Sequence, residues 1–159
     1  MAQKIKLFAT DVDGTLTDAG MYYCANGDEF KKFNTRDGMG IKLIQAKGVK
    51  TAIITSENTE IVSRRAKKLE IDYLFQGKRP KIETITELCG EIGISLDEVA
   101  YVGDDINDFE LLSAVGLKAC PADAVKKIAE IPNIIKLSKK GGEGAVREFI
   151  ELIFEKGLA

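Results

Sequence analysis

Two acidic clusters stand out in the sequence. Asp11-Val12-Asp13-Gly14-Thr15 follows the apolar run KIKLFAT (4–10), and Gly103-Asp104-Asp105-Ile106-Asn107-Asp108 follows EVAYVG (98–103). Two carboxylates two residues apart, in a turn with glycine, can converge on one small hard cation. Mg²⁺ suits such a site, because it keeps several waters and takes one or two carboxylates plus a substrate phosphate. Asp13, Asp105 and Asp108 are also ordinary helix-capping residues. It is the pair of clusters, each at the end of a strand-like run, that points to a metal site drawing acids from both.

Two further residues fit phosphate chemistry. Thr55 ends the run VKTAIIT (49–55), where its hydroxyl can donate to a phosphate oxygen. Lys81 opens a helical pattern, a position where a cation opposes the helix dipole and so invites a functional reason. The chain has no histidine, which excludes Ser-His-Asp and Cys-His catalysis and a His general base. Acid–base chemistry therefore falls to carboxylates, and there are 25 Asp and Glu to choose from.

The elements that must position these residues alternate along the chain. Strand-like runs at 4–10, 49–55, 72–76, 98–103, 115–120 and 133–137 are separated by amphipathic segments at 39–47, 59–69, 81–92, 108–114, 124–130 and 145–154. Near-continuous apolar strands between helices of this length predict an α/β fold, a Rossmann-like parallel sheet with helices on both faces and right-handed crossovers. In such sheets ligands bind at the carboxyl ends of the strands, which is where both acidic clusters fall. Residues 20–34 break the alternation: Asn26-Gly27 between two strand-prone runs predicts a β-hairpin flap. Lys139 to Gly144 (KKGGEG) reads as a flexible joint before the last helix.

At 159 residues and 45% hydrophobic content the chain is expected to form a single domain over residues 1–159 with a sizeable core. A net charge of −2 argues against nucleic-acid or membrane-surface partners. Cys24, Cys89 and Cys120 are widely spaced and read as reduced thiols, and no segment reads as a signal peptide or membrane span, so a cytoplasmic location is expected.

The ordered set Asp11-x-Asp13-Gly14-Thr15, Thr55, Lys81 and Gly103-Asp104-Asp105-x-x-Asp108 resembles the haloacid dehalogenase superfamily of phosphohydrolases. The resemblance implies that Asp11 is the nucleophile and forms an aspartyl-phosphate. Asp13 would then be the acid–base, Thr55 and Lys81 would hold the phosphoryl oxygens, and Mg²⁺ would be the cofactor. The metal would be bound by Asp11, the Asp13 carbonyl and Asp104, with Asp105 or Asp108 in support. Family members differ chiefly in cap domains, and the intervals where caps insert are too short here to hold one. Thr35-Arg36-Asp37-Gly38-Met39-Gly40, Phe75-Gln76-Gly77, Ala100-Tyr101-Val102-Gly103-Asp104-Asp105 and Gly141-Gly142-Glu143-Gly144-Ala145-Val146-Arg147-Glu148 look like the uncapped 3-deoxy-D-manno-octulosonate 8-phosphate phosphatase group. That likeness implies a homotetramer acting on a small-molecule sugar-acid phosphate.

One segment departs from the group. Thr55-Ser56-Glu57-Asn58 stands where Thr-Gly-Arg is typical, and it resembles relatives acting on nonulosonate (sialic-acid type) 9-phosphates. Glu57 is equally a favourable first-turn helix acid. Arg65 and Lys68 are candidates for restoring positive charge toward a substrate carboxylate. Arg36 and Arg147 are candidates for bidentate contacts to carboxylate or phosphate, or for surface ion pairs. A non-catalytic subunit on the same fold is disfavoured by the intact Asp11, Asp13, Thr55, Lys81 and Asp104.

Overall fold

The computed structural model describes residues 4–27, 29–77 and 80–159. A six-stranded parallel sheet, ordered β5-β4-β1-β6-β7-β8, is built from β1 (Leu7–Thr10), β4 (Lys50–Thr55), β5 (Tyr73–Gln76), β6 (Val99–Val102), β7 (Leu117–Cys120) and β8 (Ile135–Lys136). Helices α1 (Thr35–Ala46), α2 (Glu60–Lys68), α3 (Lys81–Ile92), α4 (Phe109–Ala114), α5 (Lys126–Ala129) and α6 (Ala145–Glu155) connect and cover it.

Side chains alternate across the strands, so the sheet feeds two apolar layers. Phe8, Ile53, Ala100 and Val102 pack with Ile41, Ile44, Phe149 and Ile150 on the face of α1, α2 and α6. Leu7, Ala9, Ala52, Ile54, Val99 and Tyr101 pack with Ile85, Leu88, Leu111 and Ile128 on the face of α3, α4 and α5. Burial on both sides explains the unbroken apolar runs of the sequence.

The chain leaves β1 for β4 and β5 on one side and later returns to β6 on the other. This reversal is a topological switch point, and it opens a crevice at the carboxyl end of β1. Thr10 is level with Ile53 of β4 and Val102 of β6, so Asp11 and Gly103 leave the sheet side by side.

The flap is present and small. β2 (Tyr22–Tyr23) pairs antiparallel with β3 (Glu29–Phe30), and Gly27 takes φ +91° in the turn; Asp28 lies outside the described residues. A bridge between Thr17 and Phe33 closes its base. Among the described residues, no further domain is inserted between Asp11 and Lys81.

Two expectations need correction. The first helix begins at Thr35 rather than Met39, because Asn34 caps it by accepting from the Arg36 N–H, and Gly38 and Gly40 had hidden that turn. The glycine-rich segment before α6 is packed rather than loose. The Gly142 N–H donates to the Thr15 carbonyl, the Gly141 N–H to Asp123, and a Cβ at Gly141 would lie 1.9 Å from the Gly14 carbonyl oxygen. This segment braces the Asp11–Thr15 turn from behind.

Candidate active site

Asp11 emerges from β1 and its amide N–H donates to the Val102 carbonyl, which ties the turn to β6. The N–H groups of Thr15, Leu16 and Thr17 all donate to the Val12 carbonyl, winding the chain tightly. Gly14 sits at φ +84°, and a Cβ there would stand 2.0 Å from Asp104 Oδ2. Only glycine lets the two acidic loops approach this closely. Thr15 Oγ1 donates to Asp104 Oδ1 at 3.3 Å.

Lys81, the first residue of α3, is 2% exposed. Its ammonium donates to Asp11 Oδ1 at 2.7 Å and Asp108 Oδ1 at 2.6 Å, and lies 3.4 Å from the Tyr101 hydroxyl. Tyr101 in turn donates to Asp108 Oδ1 at 2.5 Å. Asp108 Oδ2 accepts from the N–H groups of Asp104 and Asp105. Asp108 is thus saturated by four donors and acts as the post that orients Lys81 and the Asp104 loop.

Carboxylate oxygens of Asp11, Asp104 and Asp108 lie within 4.8 Å of one another. Burial first, and the neighbouring Asp108 next, push Asp11 well above the usual carboxylate range, although Lys81 opposes this. The same two causes push Asp104 up to about 7. Three ionised carboxylates against one ammonium leave two negative charges in a desolvated pocket, and a divalent cation would neutralise them. Hard oxygen donors and a double charge deficit fit magnesium. Asp11 and Asp104, whose oxygens are less committed than those of Asp108, are the carboxylates suited to hold it.

Asp13 stands apart from these three, its side chain 30% exposed at the mouth. Thr55 is buried at the end of β4, and its Oγ1 accepts from the Glu57 N–H. Asp105 does not join the cluster: it is exposed and its Oδ1 accepts from the Ile106 N–H, capping the turn at 106–108.

The expected substrate contacts separate into two groups. Glu57 reaches the mouth beside Asp13, and Arg65 and Lys68 line a cavity of about 270 Å³ with Lys31, Phe33, Ile61 and Arg64. Arg65 donates to the Asn34 carbonyl and stacks over Phe33 at 5.3 Å. Arg36 and Arg147 instead line a separate cavity of about 610 Å³ at the start of α6, with Glu143 and Glu148, and none of Asp11, Asp13, Asp104 and Asp108 borders it. Arg147 Nε pairs with Glu151 there.

Two participants carry no sequence expectation. Tyr101 is a hydroxyl in an otherwise apolar buried strand, and that unmet polar end was its signal. Lys31 donates to Asp13 and Glu57 from the flap, and no local pattern distinguishes it from Lys32.

Comparison with known proteins matches this geometry. A model of the haloacid dehalogenase-like hydrolases matches residues 34–116. The chain is 39% identical over 153 residues to the 3-deoxy-D-manno-octulosonate 8-phosphate phosphatase KdsC of Escherichia coli, covering 96% of this chain and 80% of that one. The structure of the Moraxella catarrhalis 3-deoxy-D-manno-octulosonate 8-phosphate phosphatase, in complex with magnesium ion, phosphate ion and KDO, superposes with a TM-score of 0.92 at 37% identity over 97% of this chain and 88% of that one. A probable yrbi family phosphatase from Pseudomonas syringae gives a TM-score of 0.93 at 45% identity, covering 97% and 87%. With a family model over more than half of the chain and relatives at 39% identity over most of it, the chain belongs to the haloacid dehalogenase-like hydrolase family.

Proposed function

We propose that the protein is a Mg²⁺-dependent phosphatase that hydrolyses the phosphomonoester of a 2-keto-3-deoxy sugar acid, 3-deoxy-D-manno-octulosonate 8-phosphate foremost. The observation that carries this is the convergence of Asp11 and Asp104, at the carboxyl ends of adjacent strands, with Lys81 from the start of α3. The named activity of the relatives supports the choice of substrate.

Asp11 Oδ attacks phosphorus as the bond to the sugar oxygen breaks, and Asp13 gives that oxygen its proton. Water then attacks the aspartyl-phosphate, its proton passes to Asp13, and Asp11 is released. Lys81 and Thr55 hold the phosphoryl oxygens. Lys81 also keeps the Asp11 carboxylate fixed for attack. Asp11, Asp104 and the Asp13 carbonyl would hold Mg²⁺, which would supply positive charge against the phosphoryl oxygens when bound. Asp108 and Tyr101 position Lys81.

The cavity lined by Lys31, Arg64, Arg65 and Lys68 supports a substrate that carries a carboxylate as well as a phosphate. Glu57 at the mouth favours a second reading, a nonulosonate 9-phosphate, because a carboxylate there accepts hydrogen bonds from a longer polyol. Exposed Met21, Tyr22, Tyr23 and Phe30 on the flap support assembly of copies, a homotetramer in this proposal. The free thiols of Cys24, Cys89 and Cys120 support a reducing, cytoplasmic setting, and no helix among the described residues is long and apolar enough to cross a membrane. The shared sheet supports reading the chain as one hydrolase domain.

The test is phosphate release with Mg²⁺ from octulosonate 8-phosphate and from nonulosonate 9-phosphates side by side. Faster turnover of the eight-carbon ester is expected. The opposite order would transfer the assignment to the nine-carbon class, and no release from either would end the phosphatase reading.

A further inference from the structure

We propose that Lys31 of the flap is a positioning residue for Asp13, holding one carboxylate oxygen of the acid–base group so that the other serves the ester oxygen. The inference rests on the phosphatase reading above.

The flap is otherwise open to solvent: Tyr23 is 64% and Phe30 57% exposed. The Lys31 side chain is only 3% exposed. Burying a lysine is costly unless it is paired. Here the ammonium donates to Asp13 Oδ1 at 2.5 Å and to Glu57 Oε2 at 3.1 Å. The pairing spans three separate segments: the flap, the loop after β1 and the loop after β4. Glu57 balances the ammonium's charge, so Lys31 fixes Asp13 without adding net charge beside it. Among the described residues, Oδ2 of Asp13 has no hydrogen-bond partner, which leaves it available. Asp13 is attached to a tight turn, but its side chain would otherwise rotate freely at the mouth. A displacement of one ångström at a reacting group can cost about 100-fold in rate. The bridge between Thr17 and Phe33 holds the flap's base and sets where Lys31 enters.

The prediction concerns leaving groups. A misplaced acid penalises esters whose alcohol needs a proton to depart, and spares esters that leave as a stable anion. Lys31→Met should lower kcat/KM for phenyl phosphate by about 10- to 100-fold, within the range general acids supply. For p-nitrophenyl phosphate the loss should stay below about threefold. Lys31→Arg, which can still bridge two carboxylates, should lie within about threefold of the parent on both esters. Equal losses on both esters, or no loss on either, would overturn the role. Thermal melting checks that the variants are folded, and if the methionine variant melts below the assay temperature the same ratio is read from Lys31→Ala. A parent protein inactive on every phosphate ester would instead sink the phosphatase reading, so the two failures are separable.

Discussion

Lys81 is the most demanding residue in the site, because stability and chemistry both lean on it. Its side chain is 1% exposed and faces Asp11 and Asp108, whose side chains are 6% and 0% exposed. Replacing Lys81 with methionine leaves buried carboxylates with no cation. Breaking a buried ion pair by removing one partner costs about 3–5 kcal/mol. For a chain of this length each kcal/mol shifts Tm by roughly 2–4 °C, so Lys81→Met should melt roughly 6–20 °C below the parent at neutral pH without metal. Asp11 already binds its proton more tightly in the folded state than in the unfolded chain, through burial and the nearness of Asp108. Loss of the ammonium strengthens that preference. The folded variant then holds more protons than the unfolded one from the ordinary carboxylate range upward, so its deficit should shrink as the pH is lowered. The double variant Lys81→Met/Asp108→Asn removes one of the stranded charges, and should recover at least half of the lost Tm while staying inactive. Melting followed by circular dichroism, with phosphate release on the same samples, reads both effects. A single variant melting within about 2 °C of the parent, or a double variant less stable than the single, would refute the electrostatic account of the cluster.

Gly14→Ala places a Cβ 2.0 Å from Asp104 Oδ2 at a backbone φ of +84°. It should abolish Mg²⁺-dependent turnover and cost about 1–2 kcal/mol in urea unfolding; turnover near the parent rate would contradict the proposed packing of the two loops. Asp37 is buried between α1 and α6, where Oδ1 accepts from the Arg147 N–H and Oδ2 has no partner among the described residues. Burial pushes its pKa up to about 6. The folded state therefore holds this proton more tightly, and the stability it contributes is present at low pH and is lost as pH rises from about 4 to 6. Relative to Asp37→Asn, the parent should lose up to about 3 kcal/mol over that range, and a pH-independent difference would refute the burial argument.

The strand–helix alternation was legible because both faces of the sheet are covered, so each strand is an unbroken apolar run. Asp11, Thr55 and Asp104 were legible as candidates because each ends or directly follows such a run, and a parallel sheet brings those ends to one rim. Lys81 was legible through a local conflict, a cation at a helix start, whose resolution is the Asp11–Asp108 pair. What escaped depends on distance in sequence. The ammonium of Lys31 meets residues 18 and 26 positions away, and no local pattern encodes that meeting. The Gly141–Gly142 segment looked loose for the same reason: its glycines accommodate the backbone of Gly14 to Asp18, far behind in the chain. Asp105 and Asp108 look alike in sequence, yet one faces solvent and caps a turn while the other is fully buried and anchors Lys81.

The account turns on Asp11 carrying the phosphoryl group. Acid quenching during turnover of octulosonate 8-phosphate with Mg²⁺, followed by borohydride reduction and peptide mass spectrometry, tests this directly. Reduction of an aspartyl-phosphate should yield homoserine at position 11 in the parent, and Asp11→Asn should neither form it nor release phosphate. Homoserine at another aspartate, or an Asp11→Asn variant that still turns over near the parent rate, would contradict the mechanism.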